Sequence, residues 1–423
     1  DIIGMIRDIM AEFDSISSKN SRALSILRKK WIGLVVLQIL LLLSGAQLLI
    51  SWMGPQPALH WLGLAALFSL TYFGILWRRL ALNYDPAERI ILPEFGPGNQ
   101  LTILRGILLT LLAGFLFSPW PQGWLAYVPG LLYSSAALAD LFDGYLARIS
   151  HHETRLGEEL DLNLDGLGIL IASTLLVQYG QVPAWFLLVG LARYLFIGGI
   201  WLRGRLGKPV LPLTKNSARR PFAGAQMGFV AVVLFPVFSP PGTFLAAAIF
   251  AIPFLIGFTL DWFTVSGISL TSLLRRDSAL VTYLYLLDSD RMKVIKELAS
   301  RWLPLVLRIS LVILLIAWIQ ENMFGLFPSQ RLSAADLNPP IQWIGITLLL
   351  MFSGLILIAI GVAGRIAAII VLFAIGIYLE YYGLHLIEVL LVVGAVGLIY
   401  IGTGPYSLWI PERKILTKRL GET

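Results

Sequence analysis

Apolar segments of about twenty residues recur along the chain and constrain its fold more than any other feature. A helix needs ~20 mostly apolar residues to cross about 30 Å of hydrocarbon. Twelve segments meet this requirement: 31–51, 60–77, 101–118, 123–147, 158–178, 183–203, 222–238, 241–262, 302–320, 341–362, 365–382 and 384–402. Helices are expected because a membrane span must satisfy its own backbone polar groups. We therefore predict an all-α polytopic membrane protein with about 12 transmembrane helices.

The composition agrees with this prediction and excludes several classes of site. Hydrophobic residues make up 57% of the chain and charged residues only 13%, whereas soluble domains carry about 25% charged residues. The absence of cysteine excludes disulfides, thiolate metal sites and cysteine nucleophiles. The net charge of +7 is interpreted as topogenic lysine and arginine, so no nucleic-acid partner is expected.

The positions of lysine and arginine predict the orientation of the chain in the membrane. If the twelve segments alternate in direction, nearly all loop cations fall on one side. The loops on the opposite side contain a single lysine or arginine, Arg331. Because cationic loops stay in the cytoplasm, we predict that both termini and the polar site are cytoplasmic, in the plasma or inner membrane.

The distribution of apolar and polar segments divides the chain into four regions. Residues 1–92 are predicted to form an amphipathic interfacial helix, with a solvated tail as the alternative, followed by two transmembrane helices. Residues 93–263 contain six spans and most of the polar motifs. Residues 264–301 are predicted to be a cytoplasmic connector that includes an interfacial helix at 270–287. Residues 302–423 are predicted to be a four-helix membrane domain, to which no chemistry is assigned.

Four aspartates in the second region keep helical register. Asp140 and Asp143 share one helix face, and Asp161 and Asp165 share a face of the next helix. A short connection makes the two helices antiparallel, so the carboxylates can meet. They repel one another unless cations neutralise them, and hard divalent ions such as Mg²⁺ suit carboxylate oxygens. We predict two Mg²⁺ ions, with Mn²⁺ as a substitute, at a site of phosphoryl transfer.

An acidic, solvated loop is the alternative interpretation of this stretch. It accounts for three glutamates near the connection between the helices, Glu153, Glu158 and Glu159. It does not explain why the four aspartates stay in helical register with glycines between them. The functional interpretation is therefore preferred for the aspartates.

The complete pattern resembles a family signature. It reads Asp140-x2-Asp143-Gly144-x2-Ala147-Arg148-x8-Gly157-x3-Asp161-x3-Asp165 and is similar to the signature of the CDP-alcohol phosphatidyltransferase family. The resemblance implies a six-helix core at 93–263, usually a homodimer. It also implies that a hydroxyl attacks the β-phosphorus of a CDP-linked lipid or alcohol and releases CMP.

The resemblance also implies roles for the residues of the motif. Asp140, Asp143 and Asp161 would hold the metals, and Asp165 would act as general base while touching a metal. The residues implied to line the nucleotide site are Gly144, Ala147, Arg148 and Gly157.

A second segment, Gly98-Asn99-Gln100-Leu101-Thr102-x2-Arg105, resembles the start of the family's first helix, with glycine replacing the usual proline. Asn99 and Thr102 are implied nucleotide contacts, and capping of the helix N-terminus is the alternative. Five cations are candidates for binding the acceptor or its phosphate: Arg105, Arg193, Lys215, Arg219 and Arg220. For the loop cations, positive-inside charge and anionic lipid headgroups are the alternative.

Together these features predict an enzyme of phospholipid biosynthesis. The expected donor is CDP-diacylglycerol or a related CDP-alcohol, and the expected acceptor is a small alcohol such as glycerol 3-phosphate or an inositol phosphate. Membrane lipids and a second copy of the chain are the other expected partners. A transporter is one alternative, but it predicts inverted repeats and midplane polar residues, which the sequence lacks. A catalytically silent scaffold is another, but all four aspartates are present.

Overall fold

The computed structural model describes residues 2–84, 90–150, 152–212, 219–238, 240, 242–267, 290–325, 341–382, 385–402, 404, 407 and 408. Within these ranges the secondary structure is helical, apart from an isolated antiparallel bridge between Tyr84 and Ile91. The all-α prediction is confirmed.

The described part of the chain contains twelve α-helices, and each overlaps one predicted apolar segment. They are α1 (Ile2–Met53), α2 (Pro55–Arg79), α3 (Pro97–Ala113), α4 (Val128–Ile149), α5 (Arg155–Gln178), α6 (Leu187–Arg205), α7 (Arg219–Val233), α8 (Gly242–Ser266), α9 (Asp290–Gly325), α10 (Ile341–Ile360), α11 (Gly364–Tyr382) and α12 (Leu386–Ile401). Seven helical segments of the described chain are long and apolar enough to cross a membrane. The protein is therefore a polytopic membrane protein, and the total of about 12 spans stays a prediction.

The first helix differs from its prediction. An interfacial helix and a separate span were expected, but α1 runs without interruption through both segments. Continuity is possible because the first proline of the sequence is Pro55. The helix ends at Met53, and the next residue, Gly54, has a φ of 86° that makes the turn into α2. Pro55 then occupies the first position of α2, where its missing N–H costs no hydrogen bond.

The predicted connector is also partly helical. Its last residues belong to α9, which begins at Asp290 rather than near the predicted start of the span. The interfacial helix predicted at 270–287 lies outside the described residues.

The chain divides into two compact units. The first is drawn from Asp1–Gly180 and Val230–Pro236, and the second from Gln181–Phe229 and Val237–Lys418. In the first unit, α3 packs against α2, α4 and α5. In the second unit, α9–α12 pack together, and buried Glu388 of α12 accepts a 2.9 Å hydrogen bond from Trp318 Nε1.

Aromatic side chains of α2 fit against a glycine within α3 and against the glycine that caps its C-terminus. A Cβ atom at Gly106 would lie 2.2 Å from Tyr72 Cζ, and one at Gly114 would lie 2.5 Å from Trp61 Nε1. The Trp61 indole donates a 3.1 Å hydrogen bond to the backbone carbonyl of Leu111. Glycine allows this close approach of two helices in a membrane.

A buried polar contact joins α1 to the same helices. The Gln38 amide donates to Ser69 Oγ of α2 at 2.7 Å and to Thr110 Oγ1 of α3 at 3.1 Å. Since a polar group in an apolar interior needs a partner, this contact fixes α1 against α2 and α3. The N-terminal helix pair is therefore packed on the helix that begins the predicted six-helix region.

Gly106→Ala is expected to destabilise the first unit by about 1–3 kcal/mol, because the added methyl group overlaps the Tyr72 ring. The measurement is the thermal unfolding midpoint of the purified protein in detergent. Gly74→Ala on α2 is the control, since a Cβ there meets nothing within 4 Å. Equal midpoints for the two variants would contradict this account of the interface.

Candidate active site

The four aspartates lie at the adjoining ends of α4 and α5. Only residues 150–154 connect the two helices. Thr154 caps α5, since its Oγ1 accepts a 3.2 Å hydrogen bond from the backbone N–H of Gly157. The capped turn brings the acidic faces together: carboxylate oxygens of Asp140, Asp161 and Asp165 lie within 4.8 Å of one another. These are three of the four aspartates whose spacing predicts a common site.

Arg105 of α3 lies in the middle of this cluster. Its side chain is only 2% exposed, and its guanidinium donates to Asp140, to Asp161 at 2.7 Å and to Asp165. The Oδ2 of Asp143 lies 3.8 Å from Nη1. The buried arginine thus binds all four carboxylates, and the five side chains carry a summed formal charge of −3 (one cation, four anions).

Asp143 is held differently from the other three aspartates. Its side chain is 9% exposed, against 26% for Asp140, 46% for Asp161 and 43% for Asp165. Thr102 of α3 donates a 2.9 Å hydrogen bond to its Oδ2. Asp143 is therefore oriented by α3, whereas the other three carboxylates form the accessible side of the cluster.

Small residues allow α3 to approach α4 at the cluster. A Cβ atom at Gly98 would lie 2.7 Å from both Ala147 Cβ and the carbonyl oxygen of Asp143. The proline expected at this point is found one residue earlier, as Pro97 at the first position of α3. The departure from the family pattern at Gly98 thus has a steric reason.

Asn99 does not cap a helix, so that alternative is wrong. The cap of α3 is Gly96, which places Asn99 inside the first turn. Its Nδ2 donates instead to Asn83 Oδ1 at 2.8 Å and to Thr154 Oγ1 at 2.7 Å. A Cβ at Gly157 would lie 2.3 Å from Asn99 Oδ1, which explains why this position in α5 is glycine. A nucleotide contact by Asn99 stays a prediction.

Two further motif residues lie together on α4. A Cβ at Gly144 would lie 3.2 Å from Nη1 of Arg148, so the guanidinium folds back along its own helix toward Gly144. The predicted nucleotide contacts of Gly144, Ala147, Arg148 and Gly157 remain predictions.

The other four cations predicted to bind the acceptor are Arg193, Lys215, Arg219 and Arg220. Arg193 lies on α6 in the second unit. Arg219 and Arg220 begin α7, but their side chains are outside the described residues, and so is Lys215. Their role stays a prediction, as does the acceptor contact of Arg105, whose guanidinium is bound by carboxylates in the structure.

Sequence reasoning missed Asn83, which precedes the motif region and is fully buried. It accepts the hydrogen bond from Asn99 described above. A single asparagine after a helix is typical of a loop, and no spacing rule connects it to a residue 16 positions later. The only available signal was its position directly after an apolar helix.

The family model of the CDP-alcohol phosphatidyltransferases matches residues 97–258. Residues 97–258 are thus similar to a CDP-alcohol phosphatidyltransferase domain. The resemblance inferred from the motif is therefore confirmed, and the family is one of transferases, as predicted.

Curated relatives support the same assignment. A CDP-diacylglycerol–glycerol-3-phosphate 3-phosphatidyltransferase of Cereibacter sphaeroides is 32% identical over 143 residues, which cover 32% of this chain and 61% of the relative. A protein of the same name from Bacillus subtilis is 30% identical over 118 residues, or 26% of this chain and 61% of the relative. A putative cardiolipin synthase of Mycobacterium tuberculosis is 29% identical over 140 residues, or 32% of this chain and 63% of the relative.

These matches are partial on both sides. The chain spans about three fifths of the length of the curated relatives it matches. No solved structure matches the chain.

The sequence predicts that Mg²⁺ binds the aspartates and so stabilises the protein. Thr102→Val is expected to weaken this predicted stabilisation, because Asp143 loses the hydrogen bond that orients it. The measurement is the rise in unfolding temperature with Mg²⁺ concentration. Thr110→Val is the matched control: it is an equally buried threonine of α3 whose hydroxyl contacts Gln38 instead. The idea fails if the two variants respond to Mg²⁺ alike.

Proposed function

We propose that the chain transfers a phosphatidyl or similar phospho-alcohol group from a CDP-linked lipid to an alcohol acceptor, releasing CMP. The observation that carries this proposal is the cluster of Asp140, Asp143, Asp161 and Asp165 around buried Arg105, in a CDP-alcohol phosphatidyltransferase domain. The reaction belongs to phospholipid biosynthesis.

The donor set of the cluster fits divalent metal ions. Asp140, Asp161 and Asp165 each give Oδ1 to Arg105, and a carboxylate has a second oxygen that can accept another cation. Oxygen-only ligands and a negative formal charge favour Mg²⁺, with Mn²⁺ as a substitute. Bound there, two such ions would stabilise negative charge on the transferring phosphoryl group and its leaving oxygen.

Asp165 is proposed as the general base that takes the proton from the acceptor hydroxyl. Its side chain is 43% exposed, and it is fixed in place by Arg105. An exposed yet oriented carboxylate can reach an incoming hydroxyl, whereas Asp143 is held by Thr102 and is nearly buried. Arg105 would keep the carboxylates close together despite their repulsion, because a guanidinium can bind several anions at once.

The donor and the acceptor are proposed from the names of the relatives and the chemistry of the cations. CDP-diacylglycerol and glycerol 3-phosphate occur in the names of two relatives, and a third is named a putative cardiolipin synthase. The arginines at 193, 219 and 220 favour an acceptor that carries a phosphate. We also propose a homodimer in the plasma or inner membrane, with the termini and the site on the cytoplasmic side.

Release of CMP by the purified protein tests the proposal directly. The reaction contains CDP-diacylglycerol, Mg²⁺ and one acceptor from a panel: glycerol 3-phosphate, inositol phosphate, phosphatidylglycerol, serine or inositol. CMP is expected with a phosphate-bearing acceptor and no CMP in the presence of a chelator. No release with any acceptor, or with other CDP-alcohol donors, would refute the transferase function.

Asp165→Asn is expected to lower the turnover by at least about 10²-fold, since general-base catalysis contributes on this scale. Glu158→Gln is the control, because Glu158 is also an acid of α5, but it is exposed and pairs with Arg155. Turnover is followed as CMP release, and unfolding temperatures verify that both variants fold. Normal turnover of Asp165→Asn would exclude Asp165 as the base.

A further inference from the structure

The segment that follows α2 holds the N-terminus of α5. Asn83 Nδ2 donates to the backbone carbonyls of Leu92 and Glu94, both at 2.9 Å, and its Oδ1 accepts from Asn99 at 2.8 Å. The amide thus uses both of its N–H groups and its oxygen in three hydrogen bonds, and Asn83 is 0% exposed. A buried amide with all of these bonds made fixes the groups around it, because breaking one bond leaves a buried polar atom unpaired.

From Asn83 the hydrogen bonds lead to the cap of α5. Asn99 donates its second amide hydrogen to Thr154 Oγ1 at 2.7 Å, and the same oxygen accepts the N–H of Gly157. The cap of α5 is therefore positioned by Asn83 through Asn99. Asp161 lies seven residues beyond Thr154, so a shift of the capped turn displaces the metal-binding face of the helix.

Two other contacts join the same elements. The backbone N–H of Arg155, the first residue of α5, donates to the carbonyl of Tyr84 at 3.2 Å. Arg79, the last residue of α2, forms an ion pair with Glu159 in α5. Three independent contacts thus connect the end of α2 and its following segment to the first turns of α5.

We infer that the end of α2 and the segment that follows it are a working part of the active site, and that Asn83 is a positioning residue that acts through Asn99 and Thr154 on the aspartates of α5. Asn83 lies outside the residues that match the family model, 97–258. The matched segment therefore does not include the residue that supports Asp161 and Asp165. The inference rests on the proposed function, because Mg²⁺ and the CDP-linked donor are its probes.

Asn83→Ala is expected to raise the Mg²⁺ concentration needed for half-maximal stabilisation, and the KM for CDP-diacylglycerol, by about five-fold or more. The variant leaves the carboxylates intact, so the effect appears in these concentrations more than in kcat. Gln38→Ala is the matched control. It also removes a buried amide of the N-terminal pair, but one that contacts Ser69 and Thr110.

The two amide variants separate positioning from general stability. Both are expected to lower the unfolding temperature, but only Asn83→Ala is expected to change the response to Mg²⁺ and to donor. Equal changes in both variants, or no change in either, would overturn the inference. If the wild-type protein releases no CMP but is stabilised by Mg²⁺, the proposed function fails and the Mg²⁺ comparison still tests the inference. A wild-type chain without either property would overturn both.

Cross-linking gives a second test that does not depend on the folding of Asn83→Ala. The chain contains no cysteine, so Arg79→Cys with Glu159→Cys introduces the only two thiols, at a pair of side chains that touch. A short bismaleimide should join them, and the joined protein should keep its Mg²⁺ response and most of its turnover. Each single-cysteine variant treated with the reagent is the control. Loss of both the Mg²⁺ response and the turnover on cross-linking would contradict the inference.

Discussion

The ion cluster around Arg105 is the interaction on which the rest of the first unit depends. A guanidinium that is 2% exposed is stable inside a membrane protein only when anions surround it. Four carboxylates from two helices meet this need, and they in turn need cations to be held so close together. Removing Arg105 would leave four clustered carboxylates without their cation, which is far more destabilising than the net contribution of any one ion pair. The cluster therefore requires α3, α4 and α5 to be held in register.

The packing of these three helices follows from that requirement. Gly98 lets α4 approach α3, and Gly157 leaves room for the Asn99 amide. Neither glycine has a positive φ. Glycine is therefore needed at these positions for the space that it leaves, and not for its backbone conformation. Residues that the family signature associates with a nucleotide site therefore also have a packing role, and a variant at Gly157 would change the cap of α5 as well as any ligand contact.

The sequence predicted those features that depend on residues close together in the chain. The register of Asp140, Asp143, Asp161 and Asp165, with a short connection between their helices, was enough to predict that the carboxylates meet. The apolar segments predicted where helices lie because each must be long enough to cross the hydrocarbon. The continuity of α1 was not predicted, because a change from amphipathic to apolar sequence does not break a helix unless a proline or a turn intervenes.

Long-range contacts were beyond sequence reasoning for a physical reason. Arg105 was predicted to bind the acceptor, which stays a prediction. Its ion pairs with the four aspartates were not predicted, because spacing along α3 defines a face of the helix but not the side chains that the face contacts. Asn83 was missed on the same ground: its partners are backbone carbonyls and an amide, and these groups have no residue-type signature. A hydrogen-bonded support of this kind can be recognised only when the turn after α2 and the cap of α5 are seen together. A functional unit therefore extends beyond its sequence signature whenever neutral polar groups outside the signature position the charged side chains within it.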